Sequence, residues 1–410
     1  MTPFQLTAGL MTLVALVGWF NVKTLRLPNG VAMMFAGIAG ALLLFALELL
    51  HVGVIQNLVD TITHIDFAQT VVGYMLAFLL FAGAMQVDLT AMRQRWVSVT
   101  VLSTLGVAAN IAVVGTGIFF IAKMLGLPLT LNWALVFGAL ISPTDPIAVI
   151  ATVKHGELSK TLQVILEGEA LFNDGVGIVA FAALLALAAG TGEVSAVQSI
   201  ATVLIEALGG LIFGMGAAWL TIRAMETMDE FAVETAMTIA LAMVAYAGAQ
   251  ALGLSGAIAV VGAGMLFGGE RAKKAMEGKT EAYLKGFWHL VDEILNALLF
   301  LLLGVELLAV PFYGHQLGLV LAAIPLVVLT RFLVVLPWGV LFRRSERGAT
   351  TIMGWGGLHG ALSLALALSL PAGAERSLLI SITYTVVAFS IIVQGLTFTP
   401  LTRYFASKKS

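Results

Sequence analysis

The chain has 410 residues, 60% hydrophobic and only 11% charged, with a formal net charge of −2 and a mean hydropathy of +1.01. A water-facing globule carries about a quarter charged residues, so the solvent of this chain is lipid and a soluble nucleotide- or nucleic-acid-binding domain is excluded. Zero cysteines exclude disulfides, thiolate metal sites and thiol nucleophiles.

Crossing about 30 Å of hydrocarbon takes roughly 20 apolar residues per helix. Thirteen stretches qualify, near 4–20, 29–50, 68–87, 97–122, 131–151, 161–190, 196–222, 231–251, 254–269, 287–309, 316–342, 349–371 and 378–400. The fold class expected is an all-α polytopic membrane protein. The first stretch lacks the basic n-region and small-residue cleavage site of a secretory signal, so it reads as a retained span. The ninth is short. No stretch reads as a soluble domain, and the residues after 400 are too few for a large regulatory tail.

Charge placement orients the spans. With the N-terminus outside and the C-terminus cytoplasmic, all of the 21 basic residues except Lys123, Arg376 and the intramembrane Arg331 fall in cytoplasmic loops. The positive-inside rule predicts such a split, and adding or removing one span would scramble it. The expected location is therefore the cell's inner membrane, crossed many times.

Ionisable side chains at mid-bilayer are costly and commonly functional. The candidates are Asp145, Glu169, Asp174, Glu206, Arg331 and His359, whereas Glu48, Glu167, Glu234 and Glu306 sit nearer span ends and read as interfacial carboxylates. In the fifth stretch, ISPTDPIAV (141–149), Pro143 and Pro146 each remove a backbone donor and clash with the preceding turn. They should break the helix and free carbonyls near Thr144, which must then be satisfied within protein or line a wet cavity. In the sixth, EGEALFNDGVGIV (167–179), Asn173 and Asp174 fall near mid-bilayer. Burial penalises a bare carboxylate, so a proton and a metal cation compete for Asp174. Glu169 lies roughly 140° around the helix from Asp174 at 100° per residue, so the two need not share a site. The eleventh stretch carries Arg331, whose guanidinium must find a carboxylate, either Glu169 or Glu206.

The twelfth, GWGGLHGALSLALALSLP (354–371), is weakened by Gly354, Gly356, Gly357 and Gly360. It is the second interrupted span, seven after the first. Paired interruptions in corresponding positions of two halves mark an inverted repeat and its binding site. The repeats would cover approximately 4–190 and 231–400, joined by a linker helix at 196–222 in one transmembrane domain. His359, alone among six histidines, lies deep in a span.

These motifs, together with FLLFAGAMQVDL (78–89), AYAGAQALGLSGAIAVVGAGML (245–266) and FWHLVDEILNALLFLLLGVEL (287–307), resemble those of NhaP-like bacterial sodium/proton antiporters, kin of animal sodium/proton exchangers. The resemblance runs over nearly the whole chain. It implies about thirteen helices, two inverted six-helix repeats, unwound crossing helices at the fifth and twelfth spans, a homodimer and an elevator-like alternating-access cycle. It also implies secondary antiport of monovalent cations against protons in pH homeostasis. The protein would be no enzyme and have no cofactor, its Na+ (with Li+ and K+ as alternatives) and H+ being transported substrates. Carried over by position, Asp174 would bind cation or proton and Thr144 would add a sodium ligand. Asn173 and Asp145 would stabilise the helix ends, and Glu169 with Arg331 would form a structural ion pair. The Asn-Asp pair goes with electroneutral exchange in this superfamily. Four positions depart from the family pattern: Ala170 replaces a serine, Ala82 and Gln250 replace glutamates, and His359 replaces an arginine. A histidine titrates near neutrality, so His359 is a candidate for pH modulation, or else a neutral packing residue bonded to freed backbone. The rival readings are a K+/H+ antiporter on the same scaffold, an ion channel, and an intramembrane aspartyl protease built on Asp145 and Asp174.

Overall fold

The computed structural model describes residues 3–49, 67–86, 92, 94–145, 158–190, 196–276, 278–306, 314–342 and 348–407. Among them are helices α1 (Pro3–Phe20), α2 (Asn29–Leu49), α3 (Phe67–Gln86), α4 (Trp96–Met124) and α5 (Leu131–Leu140). There follow α6 (Lys160–Ala188), α7 (Ala196–Met225), α8 (Phe231–Ala251), α9 (Gly256–Phe267) and the short α10 (Glu270–Ala275). The last are α11 (Gly278–Glu306), α12 (Leu317–Phe342), α13 (Ala349–Trp355), α14 (Ala361–Leu368) and α15 (Ala374–Ser407). The described residues contain no strand, only one isolated bridge. Among the described residues, eight helices are long and apolar enough to cross a membrane, and four shorter apolar ones accompany them.

Local chemistry sets the helix starts. Thr130, Ser159 and Ser255 precede α5, α6 and α9, and each hydroxyl accepts from the backbone N–H three residues on. Such caps satisfy donors that a helix cannot satisfy itself. Two long helices contain a π turn, Leu102–Gly106 in α4 and Ser390–Gln394 in α15.

Packing forms two main apolar cores. One joins α4, α5, α6, α12, α14 and α15 around Phe137, Leu140, Phe181 and Tyr384, and reaches Met34 of α2 and Phe300 of α11. The other joins α3, α7, α8, α9 and α11 around Phe81, Phe267 and Trp288. The Phe81 and Trp288 rings lie 4.6 Å apart, and the buried indole N–H of Trp288 donates to Thr238 Oγ1 at 3.0 Å. α2 and α11 approach until Gly37 faces Gly304, a small-residue contact of the kind that packs helices in lipid. Outward faces are apolar, as at Ile205, Leu208 and Ile212 of α7. Lys23 sits over the Trp19 ring at 5.0 Å and Arg223 over Trp219 at 5.9 Å, amphipathic pairs suited to a membrane interface.

Two of the four carboxylates expected at span ends differ from that reading. Glu234 is buried at the first turn of α8, where the positive end of the helix offsets its charge. Glu167 points inward, two helical turns before Asp174 and on the same face of α6. The side chains of Glu48 and Glu306, and Pro146 with the rest of 146–157, lie outside the described residues.

Candidate functional site

α5 stops at Leu140 and the chain from Ser142 to Asp145 is non-helical. The same happens between α13 and α14, at residues 356–360. The two segments cross, and Asp145 N–H donates to the Leu358 carbonyl at 2.6 Å in an antiparallel bridge. Unwound backbone in lipid is viable only when protein satisfies its polar groups. Here the neighbours do so. Asn173 Oδ1 accepts from Thr144 N–H at 3.2 Å while its amide donates to Thr144 Oγ1 at 2.9 Å. His359 Nδ1 lies 3.2 Å from the Pro143 carbonyl, which can only accept, so Nδ1 carries the hydrogen there. His359 N–H donates to Ser390 Oγ at 2.8 Å, Ser390 to Gln394 Oε1 at 2.6 Å, and the Gln394 amide to the Trp355 carbonyl at 3.3 Å. Both Ser390 and Gln394 come from the π turn of α15.

The crossing is too close for side chains at two points. A Cβ on Gly357 would overlap the Arg331 side chain, and one on Gly360 would lie 2.8 Å from Asp145 Cβ. The Asp145 carboxylate therefore rests against Gly360, which opens α14, where the helix dipole favours negative charge.

A cavity of about 290 Å³ begins at this crossing. Its polar lining is Thr144, Asp145 and Asp174 from the crossing and α6, with Gln163, Glu167, Gln86, Asp292 and Asn296. Gln163 precedes Asp174 by eleven residues on α6, roughly 16 Å along the axis, so the cavity runs from mid-helix to the helix start. Asp174 Oδ1 is buried without a hydrogen-bond partner. A buried acceptor left unmet is costly, and a proton or a cation would meet it.

A second void of about 20 Å³, room for one water, lies behind the crossing among Asn110, Ser142, Glu169, Arg331 and His359. Thr144 lines both spaces, Asn173 only the void and Asp174 only the cavity, so the adjacent Asn and Asp face opposite ways. Glu169 and Arg331 form a bidentate pair, with Nη1 against Oε1 and Nη2–H donating to Oε2 at 2.9 Å. They are only 2% and 8% exposed. Arg331 Nε also donates to the Met353 carbonyl at 3.3 Å. Of the two carboxylates weighed for Arg331, the structure pairs it with Glu169 and not Glu206.

Asp174, Asp145 and Thr144 thus share the cavity, with Asn173 bonded to Thr144 from behind. Glu169, Arg331 and His359 lie on the far side. Ala170 lines the cavity without a ligand atom, Ala82 is fully buried in α3, and Gln250 is exposed at the end of α8. Sequence reasoning missed Asp292, Asn296 and Gln86. His289, Asp292, Glu293 and Asn296 do repeat at three- and four-residue spacing, but this polar stripe continues the charged start of the helix at Lys279, Glu281 and Lys285. It also missed Ser390 and Gln394, again four residues apart.

A family model described as the transmembrane sodium/hydrogen exchanger matches residues 11–404. The chain belongs to this family. It is 38% identical over 409 residues to the Na+/H+ antiporter NhaP of Pseudomonas aeruginosa, covering 97% of this chain and 96% of that one. It is 32% identical over 394 residues to the Na+/H+ antiporter NhaH of Halobacillus dabanensis, covering 92% of each. Among solved structures, the exchanger's fold matches that of the sodium proton antiporter MjNhaP1 from Methanocaldococcus jannaschii at pH 8, with a TM-score of 0.77 over 98% of both chains at 19% identity.

Proposed function

We propose that this exchanger carries out electroneutral sodium/proton antiport, with Asp174 binding one cation or one proton in turn. The observation that carries the reading is the buried, unpartnered Oδ1 of Asp174, a residue that lines the cavity. One carboxylate occupied by either one proton or one sodium moves the same charge in both directions, which makes the exchange electroneutral. Thr144 would supply a further oxygen ligand at the crossing. Asn173 would hold Thr144 in place, and Asp145, on the N-terminus of α14, would keep the crossing polar without consuming a cation. The Glu169–Arg331 pair would brace α6 against α12 and stay out of the ion path. No cofactor is involved, since the ions are the substrates and their gradients the drive.

The transporter would sit in the cell's inner membrane as about thirteen spans, N-terminus outside and C-terminus cytoplasmic. It would have two inverted six-helix repeats joined by α7 and would act as a homodimer by alternating access. In that orientation the start of α6 faces the cytoplasm, so the cavity would represent the inward-open state. Potassium/proton exchange on the same scaffold is the other outcome of the deciding experiment.

That experiment is proton flux in proteoliposomes on adding sodium, lithium or potassium in turn, for the unaltered protein and for Asp174→Asn. Asparagine is nearly isosteric but cannot ionise. Exchange should be lost in the variant while expression and monodispersity in detergent persist. Normal sodium-dependent flux through a well-folded Asp174→Asn protein removes Asp174 from the cycle.

A further inference from the structure

The same cavity holds a second carboxylate with a different setting. Asp292 stands on α11 and lines the cavity together with Gln86 of α3, Asp174 of α6 and Gly360 before α14. Asn296 Nδ2 donates to Asp292 Oδ1 at 2.9 Å, and the Gln86 amide of α3 lines the same cavity beside it. Both are neutral amides. They leave the charge of the carboxylate uncancelled. Glu169 is the contrast within this chain, because a guanidinium consumes its charge. Among the described residues lining the cavity there are four carboxylates (Asp145, Glu167, Asp174 and Asp292) and no lysine or arginine. The nearest group that can become cationic is His289, one turn earlier on α11, and it faces Glu293 at 3.5 Å.

We propose that Asp292, held by Asn296, is a capture residue for the monovalent cation: it draws the hydrated ion into the cavity before Asp174 binds it. A narrow space with low-dielectric walls focuses the field of a fixed charge and raises the local concentration of the counter-ion. Asp292 holds the cation loosely, through water, and so determines how readily the site fills. Asp174 determines whether anything is exchanged. The inference rests on reading Asp174 as the exchange site, and the two fail in different ways.

The test is the sodium dependence of exchange in proteoliposomes at fixed pH. Asp292→Asn should raise the apparent KM for sodium about tenfold, the low end of what focusing gives, with the maximal rate close to that of the unaltered protein. Asp292→Glu should restore the KM. Glu293→Gln, one residue along and half-exposed, should leave it alone. Raising ionic strength with N-methylglucamine shortens the Debye length from about 30 Å at 0.01 M to about 8 Å at 0.15 M. The unaltered KM should climb over that range more steeply than the Asp292→Asn KM, which responds only to the fields of the remaining carboxylates. Should Asp292→Asn fail to insert, Asp292→Ser carries the same comparison, and the salt series on the unaltered protein stands by itself. An unchanged KM in the variant, a fall in maximal rate alone, or a salt-independent KM in the unaltered protein overturns the proposal. Absence of any cation-dependent proton flux in the unaltered protein would sink the exchange reading instead.

Discussion

Removing both members of the Glu169–Arg331 pair should destabilise the protein by less than the sum of the two single losses. Each group is nearly sealed from solvent, at 2% and 8% exposure, and the contact is bidentate. A single neutral substitution strands the other charge in the bundle, which costs roughly 3–5 kcal/mol. Arg331→Gln should be the worse of the two, because it also releases the Met353 carbonyl at the end of α13. In Glu169→Gln, Arg331 Nη1 and Nη2 keep one amide oxygen between them. In the double variant no charge is stranded, and side-chain amides can bond each other, so a coupling of about 1–3 kcal/mol should return. The assay is unfolding of purified protein in mixed detergent micelles at a fixed pH, for the unaltered chain, the two singles and the double. Strictly additive losses would refute the reasoning, since they would mean that the two side chains do not sense one another.

Three further outcomes follow from the crossing and its surroundings. Gly360→Ala would push a Cβ against Asp145, an overpacking cost of about 1–3 kcal/mol, and should depress exchange more than Ala361→Gly does at the neighbouring position. His359→Gln should leave the pH profile of exchange intact, because a glutamine amide can still donate towards the Pro143 carbonyl and the ring faces the small void with Arg331. His359→Arg should lower stability by placing a second guanidinium beside Arg331; a flattened acid limb in either variant would instead make His359 a sensor. At the membrane surface, the hydrogen bond from Arg223 foremost, helped by Arg271, holds the Glu226 carboxyl below its ordinary value. A lowered folded-state value means that any stability from this tie is present above ordinary glutamate titration and lost only as pH falls through the lowered value. Because these side chains are exposed, that stability is small, and the Arg271→Gln variant should melt like the unaltered protein at neutral and acid pH alike.

The parts of the site legible in the sequence are those that violate a rule of lipid-embedded helices. Pro143 in an apolar run, four glycines around His359, a carboxylate at Asp174 and a guanidinium at Arg331 each carry a cost that only a special surrounding offsets. The five-residue offset of Glu169 from Asp174 likewise told that the two need not share a site. What stayed hidden breaks no such rule. Asp292 lies soon after a charged, surface-like stretch and reads as a solvated end until α3 is known to bring Gln86 against it. Glu167 was misread for the same reason. A π turn adds one residue to a helix without changing composition, so nothing in SIIVQ announces that Ser390 and Gln394 hold the backbone of a distant break. The pairing of Asn110 with Ser142 at 2.9 Å is equally silent, being two common polar residues 32 positions apart.

The joint between the segment that follows α5 and the break between α13 and α14 is made of main chain. Asp145 gives its N–H and Leu358 its carbonyl, and neither side chain takes part in that bond. The information that builds the joint is therefore written as absences: a missing proline N–H at 143, missing Cβ atoms at 357 and 360. A saturation screen across 356–360 should accordingly return an uneven barcode. Leu358 would accept any apolar side chain that fills its buried space, for the bond passes through an atom every residue owns. The two glycines beside it would accept almost nothing, although a glycine has no chemistry to lose.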